Sequence, residues 1–178
     1  MLLRRIVPAF ECISPDLDET PRTNEAPDQL VSRLASEKAA KVAADHPLAI
    51  VIGSDQTALF ERQIIGKPGT HQRAFEQLSS FSGHSVEFLT AVSVINQHSG
   101  FAEHYTDRTV VQFRHLSANE IERYLQSEQP YDCAGAFKAE ALGVVLFERI
   151  DNNDPTALIG LPLIETAAML RRAGLLLP

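Results

Sequence analysis

The sequence predicts an α/β fold with a mixed sheet, and three observations predict it. Apolar positions recur at helical spacing in some segments and as short β-branched or continuous runs in others. These two kinds of segment are interleaved along the chain rather than grouped. Turn residues (Gly, Pro, Asn) punctuate almost every change from one to the other. The 178 residues fit one domain spanning 1–178 with a substantial core.

Each element follows from local chemistry. Residues 1–6 read as the end of a helix, with Leu2, Leu3 and Ile6 apolar. Residues 9–14 read as a short strand, followed by a polar loop over 15–26. Pro27 opens a helix, because its missing N–H has no helical partner to lose. Leu30, Val31, Leu34, Ala35, Val42 and Ala43 give that helix one apolar stripe, and Pro47 ends it. The apolar run 48–52 predicts a buried strand that ends at Gly53-Ser54-Asp55-Gln56. A hairpin and the turn Gly66-Lys67-Pro68 come next, and then Thr70 caps a helix running to about Phe81, with Gly83 beyond it.

Residues 86–95 and 104–113 are strand candidates joined by a turn over 96–100. Ser117 and Glu120 form a capping box for a helix carrying Ile121, Tyr124 and Leu125. A Gly-containing loop over 130–143 precedes a strand over 144–149. Pro162 opens the last helix and Gly174 follows it.

Composition narrows the function classes. A net charge of −7 argues against a broad face for a nucleic-acid polymer, though a few basic residues in a cleft suffice for a small phosphate ligand. No apolar run reaches the length of a membrane span, and the N-terminus lacks the apolar stretch of a secretion signal. Cys12 and Cys133 make neither a disulfide framework nor a metal site, so a cytoplasmic location is expected. His71, His84, His98 and His115 lack metal-ligand spacing.

Three places carry chemistry. Asp55 sits at the carboxyl end of an apolar strand, where a carboxylate can hold a divalent metal or activate water; closing a turn is the plainer alternative. Lys38, Lys67 and Arg22 are the kind of cations a triphosphate needs as charge grows on its leaving oxygens; solvated surface charge is the alternative. The stretch Cys133-Ala134-Gly135-Ala136-Phe137-Lys138-Ala139-Glu140 lets backbone approach a flat ligand, with Glu140 placed to accept hydrogen bonds from a base edge; an ordinary loop is again the alternative.

Taken together, these segments resemble the Maf (septum-formation) family. The resemblance runs through Phe10-Glu11-Cys12, Asp18-Glu19-Thr20-Pro21-Arg22, Arg33-Leu34-Ala35-Ser36-Glu37-Lys38-Ala39, Gly53-Ser54-Asp55-Gln56, Gly66-Lys67-Pro68, Cys133-Ala134-Gly135 and Gly160-Leu161-Pro162-Leu163. It implies an elongated mixed-sheet fold with a central cleft, related to the inosine-triphosphate pyrophosphatases. It also implies cleavage of a nucleoside triphosphate to monophosphate and diphosphate with Mg²⁺ or Mn²⁺. Asp55 matches the family's proton acceptor, and Lys38 and Lys67 match its motif lysines. Glu19 matches the carboxylate ahead of the long helix, so Glu19 and Asp55 are the expected metal ligands. Arg22 is the expected further phosphate-binding residue.

The resemblance also points to a branch. Ser54-Asp55-Gln56 replaces the Ala-Asp-Thr of the dTTP/UTP branch, and Glu140 stands where that branch has Gln. This looks like the branch acting on 7-methyl-GTP, with Gln56 and Glu140 as specificity residues. A 7-methylguanine base is cationic and presents a row of donors, which an ionised carboxylate matches better than an amide. Alternatives are a dTTP/UTP pyrophosphatase, a catalytically impaired nucleotide-binding remnant, and an interaction module tied to cell division. The expected partner is a small nucleotide, and a homodimer is left open.

Family members begin with a strand and a Ser-x-Ser-Pro-x-Arg-Arg loop, whereas Met1-Leu2-Leu3 aligns within the helix that follows it. The expectation is therefore a fold with its first strand missing and weakened catalysis and stability, or else a natural start upstream.

Overall fold

The computed structural model describes residues 2–178. A 3-10 turn, Leu2–Arg5, is followed by helix α1, Pro27–Asp45; strand β1, Val51–Phe60; strand β2, Gln63–Ile65; and helix α2, His71–Phe81. Then come β3, Ser85–Asn96; β4, Phe101–Phe113; α3, Ala118–Glu128; β5, Phe147–Asp151; and α4, Leu163–Arg172. The strands form one five-stranded sheet in the order β2-β1-β3-β4-β5. The β1–β2 and β4–β5 pairs are antiparallel. No helix among the described residues is long and apolar enough to cross a membrane.

The chain divides into two compact units. The first comprises residues 2–56, 89–107 and 154–178; the second comprises 57–88 and 108–153.

In the first unit the sheet is covered on both faces. Alternation at the start of β1 sends Ile52, with Ile50 just ahead of the strand, towards a cluster built on Val92, Val94, Met169 and Leu170, and so towards α4. Val51 points the other way, to Ala39 and Ala43 of α1. Ile6, Val7, Leu175 and Leu177 pack on the α4 side, which anchors both chain ends there.

The second unit is filled by phenylalanine. Phe81, Phe113, Phe137 and Phe147 stack in sequence, with ring centroids 4.8–5.8 Å apart and tilted or edge-on geometry. Phe60 packs on Phe81, and Phe88 packs on Phe137. Such pairs favour edge-to-face contact because the ring edge is positive and its face negative.

The caps match expectation. The Thr70 hydroxyl accepts from Arg73 N–H, and the Ser117–Glu120 capping box is formed. Glu61 and Arg62, both with left-handed φ (50° and 68°), make the two-residue turn between β1 and β2.

Three expectations are corrected. Residues 9–14 join no strand; all but Phe10 are exposed, so their pattern has no face to bury. Strand β1 starts later than 48–52 and continues through Gly53-Ser54-Asp55-Gln56, because each of those polar side chains finds a partner within the sheet's layers. Residues 142–146 coil into a 3-10 turn, so β5 begins only at Phe147. Arg114 explains that last shift: its backbone N–H bonds Leu146 O at 3.0 Å and its Nε bonds Val145 O at 2.8 Å.

Candidate active site

The site begins with a close approach between α1 and β1. A Cβ on Gly53 would stand 2.2 Å from Ala35 O and 2.7 Å from Ala39 N. Only glycine lets the strand meet the helix backbone at that distance. Ala35, Ala39 and Ala43 are fully buried along the same stripe. Asp55 lies two residues beyond Gly53 on the same strand face, and Lys38 lies one turn beyond Ala35 on the helix. The small residues therefore set the separation at which these two side chains meet.

They meet as an ion pair. Lys38 Nζ lies 2.7 Å from Asp55 Oδ1 and 2.7 Å from Glu19 Oε1. Asp55 is 13% exposed, Lys38 21% and Glu19 57%, so the cluster opens to solvent on the Glu19 side. Burial is the largest influence on the Lys38 ammonium and pushes its pKa down. The bonds to Asp55 and Glu19, with their charge attraction, outweigh it and hold the pKa above the ordinary lysine value. Lys38 is thus charged throughout the neutral range and loses its proton only as pH rises beyond that of a free lysine.

The segment that carries Glu19 is held by a second set of charges, which sequence reasoning did not assign. Arg33 on α1 forks onto Glu25, Nε to Oε1 at 2.5 Å and Nη2 to Oε2 at 2.8 Å. The same guanidinium reaches Glu37 Oε2 at 3.0 Å and Thr20 O at 3.3 Å. Hydrogen bonds from Arg33 and from the Arg22 backbone hold the Glu25 carboxyl down at about 2. Lys41 Nζ donates to Asp16 O, and Asp18 accepts from Thr20 N–H at 2.9 Å. Together these bonds lay the 16–25 segment on α1 and leave Glu19 over Lys38. The available signal was an acid just ahead of the helix and the i,i+4 pair Arg33–Glu37. Arg22 itself bonds Glu37 Oε1 at 2.9 Å with its side chain 67% exposed.

The opposite face of β1 does different work. Ser54 donates to Gly160 O at 2.9 Å or to Ala91 O at 2.7 Å. Gln56 Nε2 bonds Thr90 Oγ1 at 2.8 Å, Ala157 O at 3.0 Å and Leu158 O at 3.2 Å. Gln56 therefore points away from Asp55 and fixes the 3-10 turn Ala157–Ile159 that leads into α4. Buried Asp154 completes this joint: Oδ1 accepts from Thr156 N–H and Oγ–H, and Oδ2 accepts from Ile164 N–H at 2.6 Å. A carboxylate at the start of α4 satisfies donors that the helix leaves free.

The remaining candidates belong to the second unit. Lys67 is exposed on the turn between Gly66 and buried Pro68. Gln77 Nε2 donates to Gly66 O at 3.0 Å, and Gly69 N–H donates to Tyr131 O at 2.8 Å, so that turn is braced on both sides. Glu140 is exposed on the turn after Phe137. Burial pushes the Cys133 thiol up to about 11, with Asp132 adding to the effect, so it carries no thiolate at neutral pH. Thus Glu19, Lys38 and Asp55 are brought together, Gln56 faces away from them, and Arg22 engages Glu37. No group of three or more His, Cys, Asp or Glu side chains that could hold a metal occurs among the described residues.

Comparison with known proteins places the chain in a family. A profile described as "Maf-like protein" matches residues 1–173. The 7-methyl-GTP pyrophosphatase of Albidiferax ferrireducens is 51% identical over 174 residues, covering 98% of this chain and 87% of that protein. Proteins of the same name from Polaromonas sp. and Xanthomonas axonopodis pv. citri are 52% and 51% identical, over 99% of this chain in each case and 80% and 92% of theirs. With a family match that spans residues 1–173 and relatives about half identical over nearly its whole length, this chain belongs to the Maf family.

Proposed function

We propose that this protein is a nucleoside triphosphate pyrophosphatase that hydrolyses 7-methyl-GTP to 7-methyl-GMP and diphosphate. The Glu19–Lys38–Asp55 cluster carries the reading, because it joins a half-buried carboxylate to a cation that stays charged. Relatives about half identical over nearly the whole chain bear the name 7-methyl-GTP pyrophosphatase. The whole chain acts as one functional domain in this reading, and its substrate belongs to the cytoplasmic nucleotide pool.

Asp55 orients a water molecule and accepts its proton as the water oxygen bonds to the α-phosphorus. The bond from that phosphorus to the bridging oxygen breaks, and diphosphate leaves with the electron pair. Lys38 offsets charge on the phosphates as it develops. Lys67 is assigned the same role by its motif. Arg22 adds a further cation once released from Glu37. Glu19 and Asp55 also fit a divalent cation, since their oxygens converge on one positive centre, the Lys38 ammonium. Mg²⁺ or Mn²⁺ held there would supply a polarised phosphoryl oxygen and neutralise triphosphate charge.

Glu140 recognises the base. Its carboxylate accepts from the donor edge of guanine and attracts the positive charge that 7-methylation adds. Gln56 contributes to specificity indirectly, through the 157–159 turn it holds.

The test is diphosphate release from 7-methyl-GTP, GTP, dTTP and UTP, each with Mg²⁺ or Mn²⁺. The expected result is selective release from 7-methyl-GTP. Preference for dTTP or UTP would move the chain to the sister branch, and release from none would sink the catalytic reading.

A further inference from the structure

We infer that Lys138 is the positioning residue for Glu140, acting with Tyr124 to set selectivity for a cationic purine base. This rests on the reading of Glu140 as the base-recognising carboxylate. All the groups involved lie in the second unit.

Lys138 is fixed at its amide, its carbonyl and its ammonium. Its backbone N–H donates to Tyr124 Oη at 3.2 Å, and Tyr124 is a buried residue of α3. Its carbonyl accepts from Gly143 N–H at 3.0 Å and Ala141 N–H at 3.3 Å. Its ammonium donates to Glu128 O at 2.9 Å and lies 3.7 Å from Glu128 Oε2. Glu128 is the last residue of α3, so the cation also meets the negative end of the helix dipole.

The turn over 138–143 is closed backbone to backbone. A Cβ on Gly143 would stand 2.3 Å from Lys138 O, which no side chain permits. Glu140 sits within this turn, exposed, while the residue that anchors the turn is bonded on every side. The ordinary alternative is that Lys138 binds phosphate. Its ammonium is instead committed to the end of α3. That arrangement also keeps a like charge away from a cationic base, which an unpaired lysine two residues from Glu140 would repel.

The hydroxyl of Tyr124 is the least replaceable part. It is the acceptor for an amide N–H inside the loop, and burial pushes its pKa far above the usual phenol value, so it stays neutral. Removing it leaves the Lys138 N–H unsatisfied and the turn free to shift.

The experiment is steady-state kinetics of the full chain on 7-methyl-GTP and GTP, with titration of 7-methyl-GMP and GMP binding as a second readout. Lys138→Met and Tyr124→Phe should raise KM for 7-methyl-GTP about tenfold with kcat little changed, lowering the 7-methyl-GTP to GTP preference as Glu140→Gln does. Lys138→Arg should restore most of that preference, since a guanidinium still reaches Glu128. Should Lys138→Met fail to fold, Tyr124→Phe decides, because it deletes a single hydroxyl. Preference unchanged in Tyr124→Phe and Lys138→Met, but reduced in Glu140→Gln, would overturn the inference and leave the reading of Glu140 standing. Preference unchanged in Glu140→Gln would overturn both.

Discussion

The two units hold their candidate residues by opposite means. In the first, α1 meets β1 along Gly53, Ala35, Ala39 and Ala43, where almost no side chain intervenes. In the second, Phe81, Phe113, Phe137 and Phe147 interlock as large rings, and exposed turns of the same unit carry Lys67 and Glu140. A backbone-to-backbone contact fixes a distance to within a few tenths of an ångström and has little apolar area to contribute. A cluster of rings contributes much area and tolerates small shifts. The Lys38–Asp55 pair needs the first kind of precision, because an ion pair formed across two elements fails if they part by one ångström. The turns of the second unit take their geometry from local hydrogen bonds instead.

This contrast can be broken at its strongest point first. Phe113→Ala removes the ring that touches Phe81, Phe137 and Phe147. Urea unfolding should show a loss of about 3–5 kcal/mol, the range for a buried Phe-to-Ala change. A loss below about 1 kcal/mol would show that the rings are not the main support of that unit.

Gly53→Ala probes the other unit. Its added methyl has no room against Ala35 O, so α1 must move off the strand. A loss of about 1–3 kcal/mol is expected from overpacking. Turnover should fall further than stability does, because Lys38 and Asp55 move apart. Normal turnover with unchanged stability would mean that the close approach does not set the pair's geometry.

The smallest effect concerns acid. Glu25 is held at about 2, so its pairing stabilises the fold above the ordinary glutamate pKa, and that contribution is lost as pH falls towards about 2. Wild type and Glu25→Gln should therefore differ in melting temperature at pH 7, and the gap should narrow below the ordinary glutamate pKa and close as pH falls through about 2. A gap that persists at low pH would show that packing, not charge, explains the substitution. The two side chains are 12% and 8% exposed, so solvent and salt screen the pair only in part.

Much of this was legible in the residues themselves. Thr70, the Ser117–Glu120 box and Pro27 mark helix starts because capping is a local matter of two or three side chains. Lys38 and Asp55 stood out by motif, and they do meet. What the chain order hides is tertiary. Nothing in the local pattern says that Gly53-Ser54-Asp55-Gln56 continues a strand, since its polar side chains look like a turn until their partners on α1 and in 90–160 are known. Residues 9–14 show the converse, a strand-like pattern with no partner strand. The Glu25–Arg33 fork is equally hidden, because an acid ahead of a helix and an arginine two turns into it could each have faced water.

The most direct measurement is the rate of diphosphate release from 7-methyl-GTP by Asp55→Asn beside the unaltered chain, with thermal unfolding of both. The variant should lose about a thousandfold in kcat, within the range for removing a general base, while its melting temperature stays close to that of the unaltered chain. Turnover within a few fold of the unaltered chain would remove Asp55 from the chemistry and, with it, the Glu19–Lys38–Asp55 cluster as the catalytic centre.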